Sequence, residues 1–172
     1  TSTLLDVSRL EAGKLELDMK KIDIAALLQE MIETVHPLAE NKGLYLNLEI
    51  RHQLLFVMGD INRLRQVFSN VLDNAIKYTS HGGITVIAAK REHTVVISVI
   101  DTGIGISKDE LGTLFQRFYR LKEAKESGER GIGLGLYIVR LIIKAHGGSI
   151  KAWSSGTGRG STFTMILPLA KP

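Results

Sequence analysis

The sequence predicts an α+β domain in which helices cover one face of a mixed β-sheet. Strand-like stretches stand before and after the helices, and hairpin signals occur among them. At 172 residues the chain fits one ordinary domain with a short appendage. A chain of this length buries roughly 70% of its unfolded surface, enough for a core that needs no staples.

Residues 1–14 read as the end of a helix that begins upstream, with Leu4, Val7 and Leu10 at helical spacing and Gly13 as its stop. The alternation of Leu15-Glu16-Leu17-Asp18-Met19 predicts an edge strand. Asp23 is the expected N-cap of a helix running to about Asn41, with Leu27, Leu28, Met31, Ile32 and Val35 inward and Gly43 as its end. Pro37 is expected to kink it. Residues 44–50 alternate as a strand, and 54–58 form another apolar run. Asp60 opens the next helix, which Gly82-Gly83 is expected to end. Residues 84–90 and 94–100 flank R-E-H as a hairpin would. Ser107-Lys108-Asp109-Glu110 has the capping-box pattern of a short helix. Residues 119–131 show no periodicity, and from Gly133 to His146 a helix apolar nearly all round is expected to be buried. Strands at 149–154 and 161–167 close the chain through S-G-T-G-R-G.

Composition is that of a globular protein, 44% hydrophobic and 23% charged. The absence of cysteine excludes disulfides and thiolate metal sites. Apolar runs such as Leu141-Ile142-Ile143 are far shorter than the ~20 residues that span a bilayer, and no signal-peptide pattern opens the chain. The net charge of +4 comes from scattered basic residues without interleaved aromatics, so no nucleic-acid partner is expected.

The residues with chemical potential fall into three groups. Asn70, Asn74, Lys77 and Tyr78 share one face of the helix that Asp60 opens, beside an apolar stripe of Val67, Phe68, Val71, Leu72, Ala75 and Ile76. Singly, each suits a solvated helix flank. Together, the two amide oxygens suit Mg²⁺, the ammonium suits a phosphate, and the phenol offers a flat face to a base. The second group is D101-T-G-I-G-I106, at the end of a buried strand. A carboxylate beside glycines suits a planar group with an amino donor, such as adenine; it equally suits a plain strand-to-helix turn. The third, G131-I-G-L-G-L136, precedes a helix, where free N–H groups and the helix dipole favour an anion. It follows a loop instead of a strand, unlike a dinucleotide fingerprint, and no P-loop string exists.

Taken in order and spacing, N70-V-L-D-N-A-I-K-Y-T79, D101-T-G-I-G-I106, F115-Q-R-F-Y-R120, G131-I-G-L-G-L136 and G160-S-T-F163 resemble the N, G1, F and G2 boxes and the terminal element of sensor histidine kinases. The resemblance covers residues 15–170 and implies a catalytic ATP-binding domain over 15–172, a two-layer α/β sandwich of the Bergerat type. Residues 8–14 resemble the junction with the dimerisation helix, which implies that 1–14 end that helix. The resemblance further implies ATP and Mg²⁺ as ligands. It assigns Asn70 and Asn74 to metal and phosphates, Lys77 and Tyr78 to phosphate and base, and Asp101 to the adenine amine. Gly103, Gly105 and Ile106 belong to the base loop, and Gly131, Gly133, Leu134, Gly135 and Leu136 to the phosphate loop. Arg117 and Arg120 match positions that approach the phosphates, and Thr162 matches a position near the base. Residues 119–132 correspond to a mobile lid.

Superfamily relatives that hydrolyse ATP resemble this N box but carry a water-activating glutamate where Asn70 stands. An amide is no base near neutral pH, so transfer to a supplied nucleophile is expected. None of the five histidines stands in a phosphoacceptor motif. The expected partners are therefore a dimerisation and histidine-phosphotransfer domain of the same kinase, in a homodimeric parent, and a response regulator. The expected location is cytoplasmic, with the parent an inner-membrane sensor in many such systems. Rival readings are an ATP-hydrolysing clamp and a nucleotide-binding regulatory module without transfer activity.

Overall fold

The structure, a computed structural model, describes residues 2–126 and 131–171. Its elements in chain order are α1 (Ser2–Glu11), β1 (Lys20–Asp23), α2 (Ile24–Asn41), β2 (Tyr45–Ile50), β3 (Phe56–Gly59), α3 (Ile61–Lys77), β4 (Gly83–Arg91), β5 (Thr94–Asp101), α4 (Lys108–Leu111), α5 (Lys122–Glu126), α6 (Gly135–Ala145), β6 (Ser149–Trp153) and β7 (Ser161–Pro168). Five strands form a mixed sheet in the order β2-β4-β5-β7-β6, with β2 parallel to β4 and the other pairs antiparallel. β1 and β3 pair apart from it.

One face of the sheet is covered and the other is open, as period-two alternation requires. On β5, Val95, Ile97, Val99 and Asp101 are buried while Val96, Ser98 and Ile100 are only half-buried. On β7 the buried set is Ser161, Phe163, Met165 and Leu167. α2, α3 and α6 supply the second layer, through Leu28 and Val35, through Leu64, Phe68 and Leu72, and through Ile138, Ile142 and Ile143. α1 adds Val7 and Leu10 to the same core.

Two caps fix where the central helices start. The Asp23 carboxylate accepts from the Ala25 and Ala26 amides, and the Asp60 carboxylate from those of Asn62 and Arg63. The Asp60 amide donates in turn to His146 Nε2 at 3.0 Å, so the imidazole proton sits on Nδ1 and is given to the Ile142 carbonyl at 2.7 Å. The start of α3 is thereby tied to the end of α6, and the two helices run antiparallel.

Several local expectations are corrected. Residues 15–19 form no strand; the paired segment is Lys20–Asp23, whose partner is β3, with Lys20 opposite Gly59 and Asp23 opposite Phe56. α3 ends at Lys77 with Tyr78 as its cap, and Gly83 already belongs to β4. The hairpin loop is Glu92-His93, since Arg91 pairs with Thr94. α6 begins at Gly135 instead of Gly133, and Leu136, Tyr137 and Leu141 are only partly buried. Within 119–131, a short helix forms over Lys122–Glu126.

Candidate nucleotide site

A cavity of about 560 Å³ opens between α3, the loop after β5, the segment before α6 and the end of β7. That volume suits a drug-sized ligand. Among the described residues lining it, Asp101 is the one acid, and Lys77 and Arg120 are the cations.

Asp101 stands at the end of β5, in register with Ser161 on β7 and turned toward the helices. Its side chain is buried, at 8% exposure. Oδ1 accepts from the Gly103 amide at 2.8 Å and the Ser161 amide at 3.2 Å, and Oδ2 accepts from Ser161 Oγ at 2.5 Å. Burial pushes the carboxyl above the ordinary aspartate value, against the three hydrogen bonds that favour the anion. The result is a fixed, poorly hydrated acceptor aimed into an apolar wall of Ile104, Ile106, Leu114, Ile138 and Phe163. An amino group on a flat apolar ring complements it.

The other end of the cavity is built for negative charge. A Cβ placed on Gly131 would lie 3.8 Å from Lys77 Nζ and 3.9 Å from Arg120 Nε, so this backbone lies beside both cations. A Cβ on Gly135 would lie 3.7 Å from Asn70 Oδ1, which faces the start of α6. That start has no side-chain cap: Leu134 offers no acceptor to the first N–H groups. Uncapped amides opening into a cavity with two cations suit phosphate. Lys42 Nζ caps the far end of α3 by donating to the carbonyls of Ile76 at 2.7 Å and Lys77 at 3.1 Å, which steadies the turn carrying Lys77 and Tyr78.

Asn70, Asn74, Lys77, Tyr78, Asp101, Gly105, Ile106, Arg120, Gly131, Gly133, Leu134, Gly135 and Leu136 all line this one cavity. Three expected site residues do not. Gly103 lies behind the wall, where a Cβ would come within 2.4 Å of the Tyr78 carbonyl, and it acts through its bond to Asp101. Arg117 turns away: its guanidinium stacks on Phe118 and lies 3.7 Å from Glu11 of α1, which also accepts from the Tyr137 hydroxyl. Thr162 pairs with Ile100 and Trp153 and shares their open face of the sheet. Ser161, which the sequence reading passed over, takes the position beside Asp101. The alternation of β7 carried that signal, because Phe163 and Asp101 both face inward. Of the expected lid, residues 127–130, with Gly128, lie outside the described residues.

The cavity also fits Mg²⁺ bound with phosphates. No cluster of three or more His, Cys, Asp or Glu exists among the described residues, so a metal held by protein carboxylates is not what these residues offer. Two neutral amide oxygens, Asn70 and Asn74, suit an ion whose remaining ligands are water and phosphate. Asn74→Ala is expected to weaken the Mg²⁺-dependent part of ATP binding more than the Mg²⁺-free part, with little change in apo melting temperature. Calorimetry with and without Mg²⁺ checks it; a large apo destabilisation with unchanged metal dependence would assign Asn74 to the fold.

The sequence profile of the family described as "Histidine kinase-, DNA gyrase B-, and HSP90-like ATPase" matches residues 59–171, and the chain belongs to that family. Within it, the similar proteins are catalytic ATP-binding domains of histidine kinases. The chain is 37% identical over 169 residues to "Adaptive-response sensory kinase SasA" of Synechococcus elongatus, covering 96% of this chain and 43% of that protein. It is 36% identical over 166 residues to "Sensor protein SrrB" of Staphylococcus aureus, with 96% and 28% covered. The chain thus spans less than half the length of these relatives. Among solved structures, full-length ShkA in complex with AMPPNP superposes with a TM-score of 0.87 at 31% identity, over 99% of this chain and 35% of that one. The catalytic domain of histidine kinase ThkA superposes with a TM-score of 0.77 at 25% identity, over 88% and 96%.

Proposed function

We propose that this chain binds ATP with Mg²⁺ and delivers the γ-phosphate to a histidine on a dimerisation domain outside residues 1–172, for relay to a response-regulator aspartate. The observation that carries the proposal is a single cavity with a buried carboxylate at one end and Lys77, Arg120 and uncapped helix amides at the other. Asp101 would accept from the adenine amine while Ser161 and Gly103 hold its orientation. Tyr78 would flank the base. Lys77, Arg120 and the amides from Gly131 to Gly135 would spread the phosphate charge, and Asn70 and Asn74 would hold the metal, which supplies further neutralisation. Such a site works by positioning and electrostatics: a bond from the γ-phosphorus to the imidazole nitrogen forms, that to the β-phosphate oxygen breaks, and ADP leaves.

Asn70 supports transfer over hydrolysis, since an amide takes no proton from water. Residues 1–14 fit the reading as the end of a dimerisation helix, with α1 seated on α6 through Glu11 and Tyr137. The test is phosphotransfer from labelled ATP to an added dimerisation domain of a related kinase. Acid-labile, base-stable label on that domain is expected. No label, despite saturable ATP binding, would reduce the chain to a nucleotide-binding regulatory module.

A further inference from the structure

We propose that Glu110 is a positioning residue: from within α4 it fixes the loop that carries Arg120, so that Arg120 meets the terminal phosphate of a bound nucleoside triphosphate. This rests on the nucleotide reading of the cavity. Glu110 is 3% exposed, on a helix of only four residues. Oε2 accepts from Ser107 Oγ at 2.7 Å, and Oε1 accepts from both Tyr119 Oη and the Lys122 amide at 2.9 Å. Glu110 does not itself line the cavity; of its three donors only Tyr119 does, so the carboxylate acts on the loop and not on a ligand. Burial pushes its pKa up, but these bonds and the nearby Lys122 charge hold it below the ordinary glutamate value, so it remains the acceptor the loop needs.

Arg120 lies between the two groups that Oε1 holds. Tyr119 is fixed by its hydroxyl, Lys122 by its amide, and Leu121 is buried, so the backbone on both sides of Arg120 is anchored. On the upstream side Phe118, at φ 63°, donates its amide to the Gly133 carbonyl at 2.9 Å. The guanidinium reaches forward to the Ala124 carbonyl at 3.3 Å while lining the cavity. Glu110 also supplies the Lys122 amide at the start of α5 with an acceptor, as an N-cap would from within that helix's own chain. Removing the carboxylate removes the ties at Tyr119 and at Lys122, on either side of Arg120, and so loosens the backbone that aims it.

The test uses calorimetry of ATP and ADP, with Mg²⁺, on the whole chain. If Glu110 acts through Arg120, Glu110→Ala lowers the ratio of ATP to ADP affinity by about three- to tenfold and leaves ADP affinity close to wild type, as loss of one charge-assisted contact would. Glu110→Gln, which keeps an acceptor oxygen for Tyr119 and Lys122, recovers part of the ratio. Tyr119→Phe removes one tie and lowers the ratio less; it decides the matter should Glu110→Ala fail to fold. On an Arg120→Ala background, adding Glu110→Ala changes the ratio no further. An unchanged ratio in Tyr119→Phe and Glu110→Ala overturns the proposal, and so does a further drop without Arg120. A wild-type chain that binds neither nucleotide overturns the nucleotide reading itself.

Discussion

Asp101→Asn is expected to cost about 1.5–3 kcal/mol of ATP affinity, the range for a hydrogen bond to a charged group. The structure says which way the amide must turn. Oδ1 takes two backbone donors, from Gly103 and Ser161, so the side-chain carbonyl has to occupy that position. The NH₂ then takes the place of Oδ2, where it can donate to Ser161 Oγ and keep the apo fold, yet it meets the adenine amine donor to donor. Calorimetry should show weak or no ATP binding beside a nearly unchanged melting curve, and equal affinities would make Asp101 a turn residue only. The pH dependence has the same root. Burial raises the Asp101 pKa above 3.8, so the carboxylate takes its proton at a higher pH than an exposed aspartate. ATP affinity should therefore begin to fall earlier on acidification. The sign for stability is the reverse of the usual one: the folded chain binds this proton more tightly than the unfolded chain. Ionising Asp101 thus lowers apo stability as pH rises from 3.8 through the folded pKa.

Gly160→Ala should damage both fold and site. Gly160 has φ 67°, and an added Cβ would stand 2.1 Å from the Asp101 carbonyl oxygen. A left-handed non-glycine residue costs about 1–2 kcal/mol, and relieving a backbone clash about 1–3 kcal/mol more. The relief has to come from moving β7 away from β5 at the Ser161–Asp101 pair, because the partner atom is backbone and cannot rotate away. A total of about 2–5 kcal/mol in unfolding free energy is expected, accompanied by weaker ATP binding. Denaturant melts together with ATP titrations check it. A wild-type melt would mean that the turn before Ser161 relaxes freely.

What the sequence made legible was local. Asn70 and Asn74 lie one helical turn apart, and Asp101 ends a clear strand, so periodicity places each on its element, while their meeting in one site is what the resemblance to histidine kinases implies. Thr162 shows the limit of motif matching. A slip of one residue on a strand changes the face, and only the pairing of Asp101 with Ser161 settles which residue faces the cavity. Arg117 could not be assigned from its neighbours, because its partner Glu11 lies more than a hundred residues away. Glu110 sat in a recognisable capping-box pattern, yet Ser107 makes no side-chain bond to a backbone amide of α4 and the carboxylate serves Tyr119 and Lys122 instead. β1 was misplaced because Lys20–Asp23 has no alternation of its own; its pairing with β3 supplies the strand.

The most direct measurement of the central claim is ATP turnover by residues 1–172 alone, at saturating ATP and Mg²⁺, for wild type and Asn70→Ala. With Asn70 in place of a general base, a factor of about 10²–10⁴ available to the hydrolysing relatives is missing. The wild-type chain is expected to bind ATP saturably, turn it over very slowly, with Asn70→Ala no faster because it loses a metal contact and no base, and carry no label itself. Brisk wild-type turnover would contradict the account and make the chain an ATP-hydrolysing clamp.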